Sequence, residues 1–273
     1  MCIAAFAWQA FSLHPFVLLL NRDEYYNRPT TPLGWWEGGE ILGGRDEVGG
    51  GTWLACSKKG KVAFVTNVLE LDSHHGAKSR GELPVRFLKS KQSPREFAEM
   101  LAEEVEEFNG FNLIVADLPS KSMIYITNRP KGESVRIQEV PPGLHVLSNA
   151  KLDSPWPKAE RLGLKFQKML YRYGEGEIPI KDMVSKLMRD TKKADESRLP
   201  RIWPLEWELS MSSIFVKKET TSGYYGTRST AAVTMLGNGE VNFYETYLEK
   251  EMWKEQKINY CIEKQSTVQG NTT

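Results

Sequence analysis

The chain has no long apolar run near its start. Phe16 to Leu20 is too short for a membrane span or for the centre of a secretory signal, and no Lys or Arg precedes Arg22. A mitochondrial presequence would be rich in arginine and poor in acids, and Asp23 and Glu24 break that pattern. Cysteine is scarce: Cys2, Cys56 and Cys261 are an odd number without metal-ligand spacing, which argues against a disulfide framework or a structural zinc and fits a reducing, cytoplasmic compartment. Among the 4 histidines no pair has the i, i+4 spacing of a helical metal site, and haem ligation by His145 or Cys2 has no pattern behind it. Net charge is nearly absent, at +1 from 36 Lys+Arg and 35 Asp+Glu, so nothing draws the whole surface to nucleic acid or an anionic membrane. A phosphate loop is missing too. "GGRDEVGGGTW" fits neither GxGxxG nor GxxxxGK[ST], a strand follows it, and the glycines read as tight turns. Asn271-Thr272-Thr273 matches a glycosylation acceptor with no secretory signal to give it meaning.

What is present is enough apolar residue, 40% of 273, to bury a sizeable core as one large domain or two small ones. Cys2 to Trp8 and Phe16 to Asn21 read as neighbouring buried strands, and Thr52 to Ser57 with Val62 to Asn67 as a hairpin around "KKGK". "SPREFAEMLAEEVEEF" has helical spacing behind a Ser93-Pro94 start. Strands follow at Phe111 to Asp117, Ser122 to Thr127 and His145 to Asn149. Two helices come next, one in "PKAERLGLKFQKMLYRY" and one over Ile180 to Arg189. Arg198 to Ser213 has no clear pattern, and the strands return at Tyr224 to Leu236 and Val241 to Leu248. Strands, then helices, then strands predict an α+β fold of antiparallel sheets with helices stacked on them. From Gln265 the chain loses apolar content and reads as a tail, 265–273.

Four features can carry chemistry. Met1 is normally removed before a residue as small as cysteine, and Cys2 would then hold a thiol and an α-amine that serves as its base; the plainer reading is a small buried residue opening an edge strand. Arg22 and Asp23 end the second apolar run, where charges either mark emergence into solvent or hold a substrate carboxylate and the α-ammonium. Adjacent strand residues face opposite ways, so both serve one site only if the strand ends or bulges there. Asn67 and Asn149 each follow a short apolar run, either as turn residues or as a converging pair of oxyanion donors.

The ordered set Met-Cys-Ile, "NRDE" at Asn21 to Glu24, "GGTW", "TN" at Thr66-Asn67, "SRGELP" at Ser79 to Pro84, "LSNAKLDSPWPK" and "YGTRST" at Tyr225 to Thr230 resembles the NRDE family of transport and Golgi organisation proteins. The resemblance covers nearly all of the chain to about residue 250 and predicts one domain over 1–264. It implies a four-layer αββα sandwich similar to N-terminal-nucleophile hydrolases, above all the bile-salt hydrolase and penicillin V acylase branch. By motif Cys2 takes the nucleophile position, Arg22 and Asp23 the arginine and aspartate, Asn67 and Asn149 the asparagines, and Arg228 the late arginine. In that branch the arginine and aspartate stand three apart, whereas here they are adjacent. The family also implies roles in Golgi organisation, protein secretion and haem or lipid (acyl-CoA) handling, with a cytoplasmic, Golgi-associated or mitochondrial location.

Two functions of different class follow. In one, a Cys2-centred pocket carries a small hydrophobic anion such as haem or an acyl chain, with Arg22 and Arg228 on carboxylates and Trp35, Trp36 and Trp156 supplying apolar surface. In the other, Cys2 cleaves a linear amide through a thioester. Neither requires a cofactor; haem would be cargo.

Overall fold

The computed structural model describes residues 2–263 apart from 72, 174 and 175, so the predicted tail and Asn271 lie outside the described residues. One sheet is a seven-stranded meander in sequence order: β3 (Thr30–Trp35), β4 (Ile41–Asp46), β5 (Leu54–Ser57), β6 (Lys61–Asn67), β7 (Phe111–Asp117), β8 (Ser122–Thr127) and β9 (Arg136–Glu139). The other sheet joins the first two strands to strands from residue 143 onward. Its order is β10 (Gly143–Leu147), β1 (Ile3–Trp8), β2 (Phe16–Tyr25), β12 (Gly223–Met235), β13 (Glu240–Glu249) and β14 (Met252–Cys261), with β11 (Lys217–Thr220) also on β12. All pairings between these strands are antiparallel.

Alternation along the strands builds three apolar layers. Phe16, Leu18 and Leu20 of β2 meet Leu54, Phe64 and Ile114 of the meander between the sheets. Val17 and Leu19 point the other way, under α3 (Pro157–Tyr173) and α4 (Ile180–Leu187), and α1 (Glu82–Lys89) and α2 (Pro94–Ala102) cover the outer face of the meander. The architecture is the expected αββα sandwich. The capping box at Ser93, whose side chain accepts from Glu96 N–H while Glu96 returns to Ser93 N–H, starts α2 as the sequence predicts.

Several elements depart from the sequence reading. The stretch "GGRDEVGGGTW" carries most of β4, because Gly43 and Gly44 let β4 lie against Ala55 and the Trp53 ring where a Cβ would collide. Of the five glycines in "GGRDEVGGGTW", only Gly50, at φ 69, holds the left-handed turn expected of the whole cluster. β1 is interior, between β10 and β2, so Cys2 does not open an edge strand. The segment without a pattern contains α5 (Leu205–Met211), and β2 runs past Asn21 through the entire NRDE motif. No helix among the described residues is long and apolar enough to cross a membrane.

Candidate active site

The register of β1 and β2 decides where the first charged residues go. Ile3 pairs with Asn21, so one step further Cys2 stands opposite Arg22. Both continue the face of Ala4 and Leu20, into the space between the sheets, and both line an open cleft of about 430 Å³. Asn21 and Asp23 take the other face. Asn21 is spent on structure: its amide donates to Met188 O and Ile214 O at 2.9 Å, and Thr230 Oγ1 donates to it at 2.6 Å.

Asp23 nevertheless reaches the same end of β1. Its backbone N–H hydrogen-bonds the Cys2 sulfur, its residue lines the same cleft, and its carboxylate lies on the helix side. Because Cys2 is the end of a strand, its sulfur and its amino group need not share a face. The strand does not end at Arg22 as expected; the irregularity is in the partner, where β12 shifts register between Thr227 and Ser229 and leaves Arg228 as the extra residue.

Burial sets the electrostatics. It raises the Asp23 carboxyl above its usual range, against the charges of the chain's amino terminus and Lys158 and the Thr227 hydroxyl, all of which favour the carboxylate. Thr227 Oγ1 accepts from Val216 N–H at 3.0 Å, which directs its proton to Asp23 Oδ1 at 2.6 Å. Lys158 is 2% exposed, donates to Met211 O at 3.0 Å, and is pushed below the ordinary lysine range by burial while Asp23 and Cys2 pull it back up. The Cys2 thiol is itself raised by burial; the amino terminus, Asp23 N–H and Arg22 act to lower it.

The two asparagines meet, in unequal roles. Asn149 Nδ2 donates to Asn67 O and Oδ1 at 3.0 Å, and Lys158 Nζ lies 3.4 Å from Asn149 Oδ1. Asn67 lines the cleft, and Asn149, 1% exposed, stands behind it. Their loop is tied between the sheets: Thr66 Oγ1 donates to Ser148 O at 2.6 Å, Asn112 Nδ2 to Ala150 O at 2.9 Å, and Ser148 Oγ lies 3.0 Å from Cys2 O.

The arginines separate. Arg22 donates to Thr30 Oγ1 at 3.0 Å, faces Asp46 at 3.8 Å and stacks 4.2 Å over Trp53. Arg228 lines a neighbouring cleft, and its guanidinium donates to Tyr25 O, Arg28 O and Thr30 Oγ1. It braces the turn after β2. Trp35, Trp36 and Trp156 are half-buried outside the cleft: Trp35 packs on Tyr260, Trp36 donates to Gly43 O, and Trp156 packs with Leu69 and Met211. Cleft residues to which the sequence assigns no role include Glu24, Arg28, Asp46, Lys78, Arg80 and Tyr225, and Lys158 is buried beside Asn149. Lys158 carried a signal: it stands four residues before Leu162 in the buried series Leu162, Phe166, Leu170, an apolar-stripe position.

Two crystal structures of the conjugated bile acid hydrolase of Clostridium perfringens share this fold. One, of a mutant, has a TM-score of 0.52 at 10% identity over 95% of this chain and 96% of that one. The other, of a second variant, has a TM-score of 0.50 at 10% identity over the whole of both chains. The αββα fold is therefore shared with that hydrolase and is N-terminal-nucleophile-hydrolase-like. In sequence, the chain is 31% identical to the mouse Transport and Golgi organization 2 homolog over 96% of this chain and 100% of that one. It is 33% identical to the bovine homolog over 90% and 92%, and 30% identical to the human homolog over 96% and 100%. The Transport and Golgi organisation 2 family model matches residues 1–250, and the chain belongs to that family.

Proposed function

We propose that the protein is an N-terminal-cysteine amidohydrolase. The observation that carries this reading is the placement of Cys2 at the end of an interior strand, with Arg22 on its sulfur side and the Asp23 carboxylate on the opposite face. Loss of Met1 exposes the α-amine of Cys2. That amine, in its neutral form, takes the thiol proton, and the thiolate attacks the carbonyl carbon of a linear amide. The Asn67 amide, held by Asn149, meets the oxyanion of the tetrahedral adduct. Collapse breaks the C–N bond, the α-ammonium returns its proton to the leaving amine, and a Cys2 thioester remains. Water, deprotonated by the same amine, adds to the thioester and releases the carboxylic acid and the thiol. Asp23 holds the α-ammonium whenever it forms, and Thr227 and Lys158 favour its carboxylate against burial. This chemistry uses no cofactor.

The cations around the cleft, Arg22, Arg28, Lys78 and Arg80, favour a second reading, a carrier of an anionic cargo such as haem or an acyl chain. Golgi association rests on the relatives' names alone. The apolar lining that such cargo needs is sparse beside Trp53 and Val65, which favours hydrolysis. The test is capture of an acyl group on the Cys2 peptide by mass spectrometry from a panel of linear amides. An adduct that disappears in Cys2→Ala supports the enzyme; haem or acyl-chain binding that survives Cys2→Ala, with no adduct in the wild type, supports the carrier.

A further inference from the structure

The cations of the Cys2 cleft differ in how they are compensated. Arg22 faces Asp46 at 3.8 Å, and Arg28 meets Asp46 at 2.9 Å and Glu24 at 3.9 Å. Lys78 is paired with Glu107. Arg80 is the exception. Among the described residues its guanidinium makes one hydrogen bond, Nη1 to Gly110 O at 3.0 Å, and has no carboxylate within ion-pair distance. The nearby Glu70 is committed elsewhere, accepting from Arg129 Nε at 2.5 Å and Gly110 N–H at 2.7 Å.

Arg80 is held there by the fold. Gly51 and Gly81 approach so closely that a Cβ on Gly51 would strike the Gly81 carbonyl, and Thr52 N–H donates to Gly81 O at 2.9 Å. Gly110 O, which receives Arg80, also accepts Val68 N–H at 3.0 Å, so the guanidinium lies next to Asn67. Burial acts against its charge, and Cys2 is the first group that supports it. A half-buried guanidinium with spare donors and no carboxylate is costly to keep, and a ligand anion removes that cost.

We propose that Arg80 is a specificity-determining residue that takes a carboxylate of the substrate, and that the substrates are linear amides carrying a carboxylate within a few bonds of the scissile carbonyl. This rests on the hydrolase reading of the same cleft. Asn67 fixes the carbonyl, and the fork of Arg80 beside it receives both carboxylate oxygens.

The experiment offers the Met1-processed protein N-butyrylglycine, with its carboxylate on the leaving side, and N-butylsuccinamic acid, with it on the acyl side, each beside its neutral carboxamide. One of the acids is expected to be hydrolysed with a kcat/KM about tenfold or more above its neutral analogue. Arg80→Met is expected to raise KM for that acid by about ten- to a hundredfold and to leave the neutral analogue within about twofold. Arg80→Lys recovers part of the preference and stands in if Arg80→Met does not fold. Equal use of acid and neutral amide by the wild type, or equal loss of both in Arg80→Met, overturns the proposal and leaves the hydrolase standing. Calorimetry on Cys2→Ala with the same acids separates the two claims. Arg80-dependent binding without wild-type hydrolysis upholds the carboxylate site and sinks the enzyme, and binding of neither acid overturns the site.

Discussion

Two clefts lie back to back on the stacked pair Arg22 and Trp53, and both contain buried charge. The Cys2 cleft, about 430 Å³, holds Asp23, Asn67 and Arg80. Its neighbour, about 370 Å³, holds Arg228, Ser229 and Glu245. In the second, Arg228 donates from Nη1 to two carbonyls and a hydroxyl of the turn after β2, and Glu245 accepts Leu33 N–H at 2.7 Å, joining β13 to β3 across the two sheets. In the first, the Cys2 sulfur, the Asn67 amide and Arg80 keep capacity for a ligand. The difference teaches that a charged residue in a motif is no guide to its role until its hydrogen bonds are counted. The family pattern offers Arg228 as a site residue; in the fold it lines the second cleft, with its Nη1 tied to the turn after β2.

The sharpest way to break this comparison is Cys2→Ala, which should abolish amide turnover, a loss of about 10⁴-fold or more, while thermal unfolding barely moves. Asn67→Ala should follow with a loss of about 10²–10³ in kcat and little change in KM, as for removal of one oxyanion donor. Stability as a function of pH isolates the second cleft. Burial raises the Glu245 carboxyl from 4.5 to about 7. Between those values the folded protein holds a proton that the unfolded chain has released, so stability falls as pH rises from about 4.5 to 7, by at most roughly 3 kcal/mol. Urea unfolding of Glu245→Gln should remove that slope and leave the activity profile in place. Smallest is Arg228→Met, expected to cost about 1–2 kcal/mol of stability with kcat/KM within about threefold. A loss of KM there comparable to Arg80→Met would merge the two clefts into one site.

The layers of this fold are legible where periodicity is strong. Phe16 to Leu20, the "KKGK" hairpin and the α3 stripe each declare their buried face. β4 is hidden because its glycines, Gly43 and Gly44, answer to Ala55 and to the Trp53 ring, contacts that no local pattern contains. β14 is hidden because most of its residues face solvent, so it lacks an apolar period. The opposite facing of Arg22 and Asp23 follows from strand geometry alone. That both still serve the end of β1 does not, since it depends on where Cys2 stops. Arg80 sits in a polar stretch that reads as a solvated loop, and its burial comes from the Gly51–Gly81 approach, 30 residues apart in sequence. Lys158 could have been found from the apolar stripe it interrupts.

The central claim is that Cys2 becomes a terminal residue with an activated thiol. Intact mass, followed by limiting iodoacetamide and peptide mapping, tests it directly against the buried Cys56 and the exposed Cys261. We expect Met1 to be absent and Cys2 to be alkylated faster than Cys261 despite its burial, with Cys56, whose thiol is pushed up to about 12, inert. A retained Met1, or a Cys2 that reacts no faster than Cys261, would contradict the account.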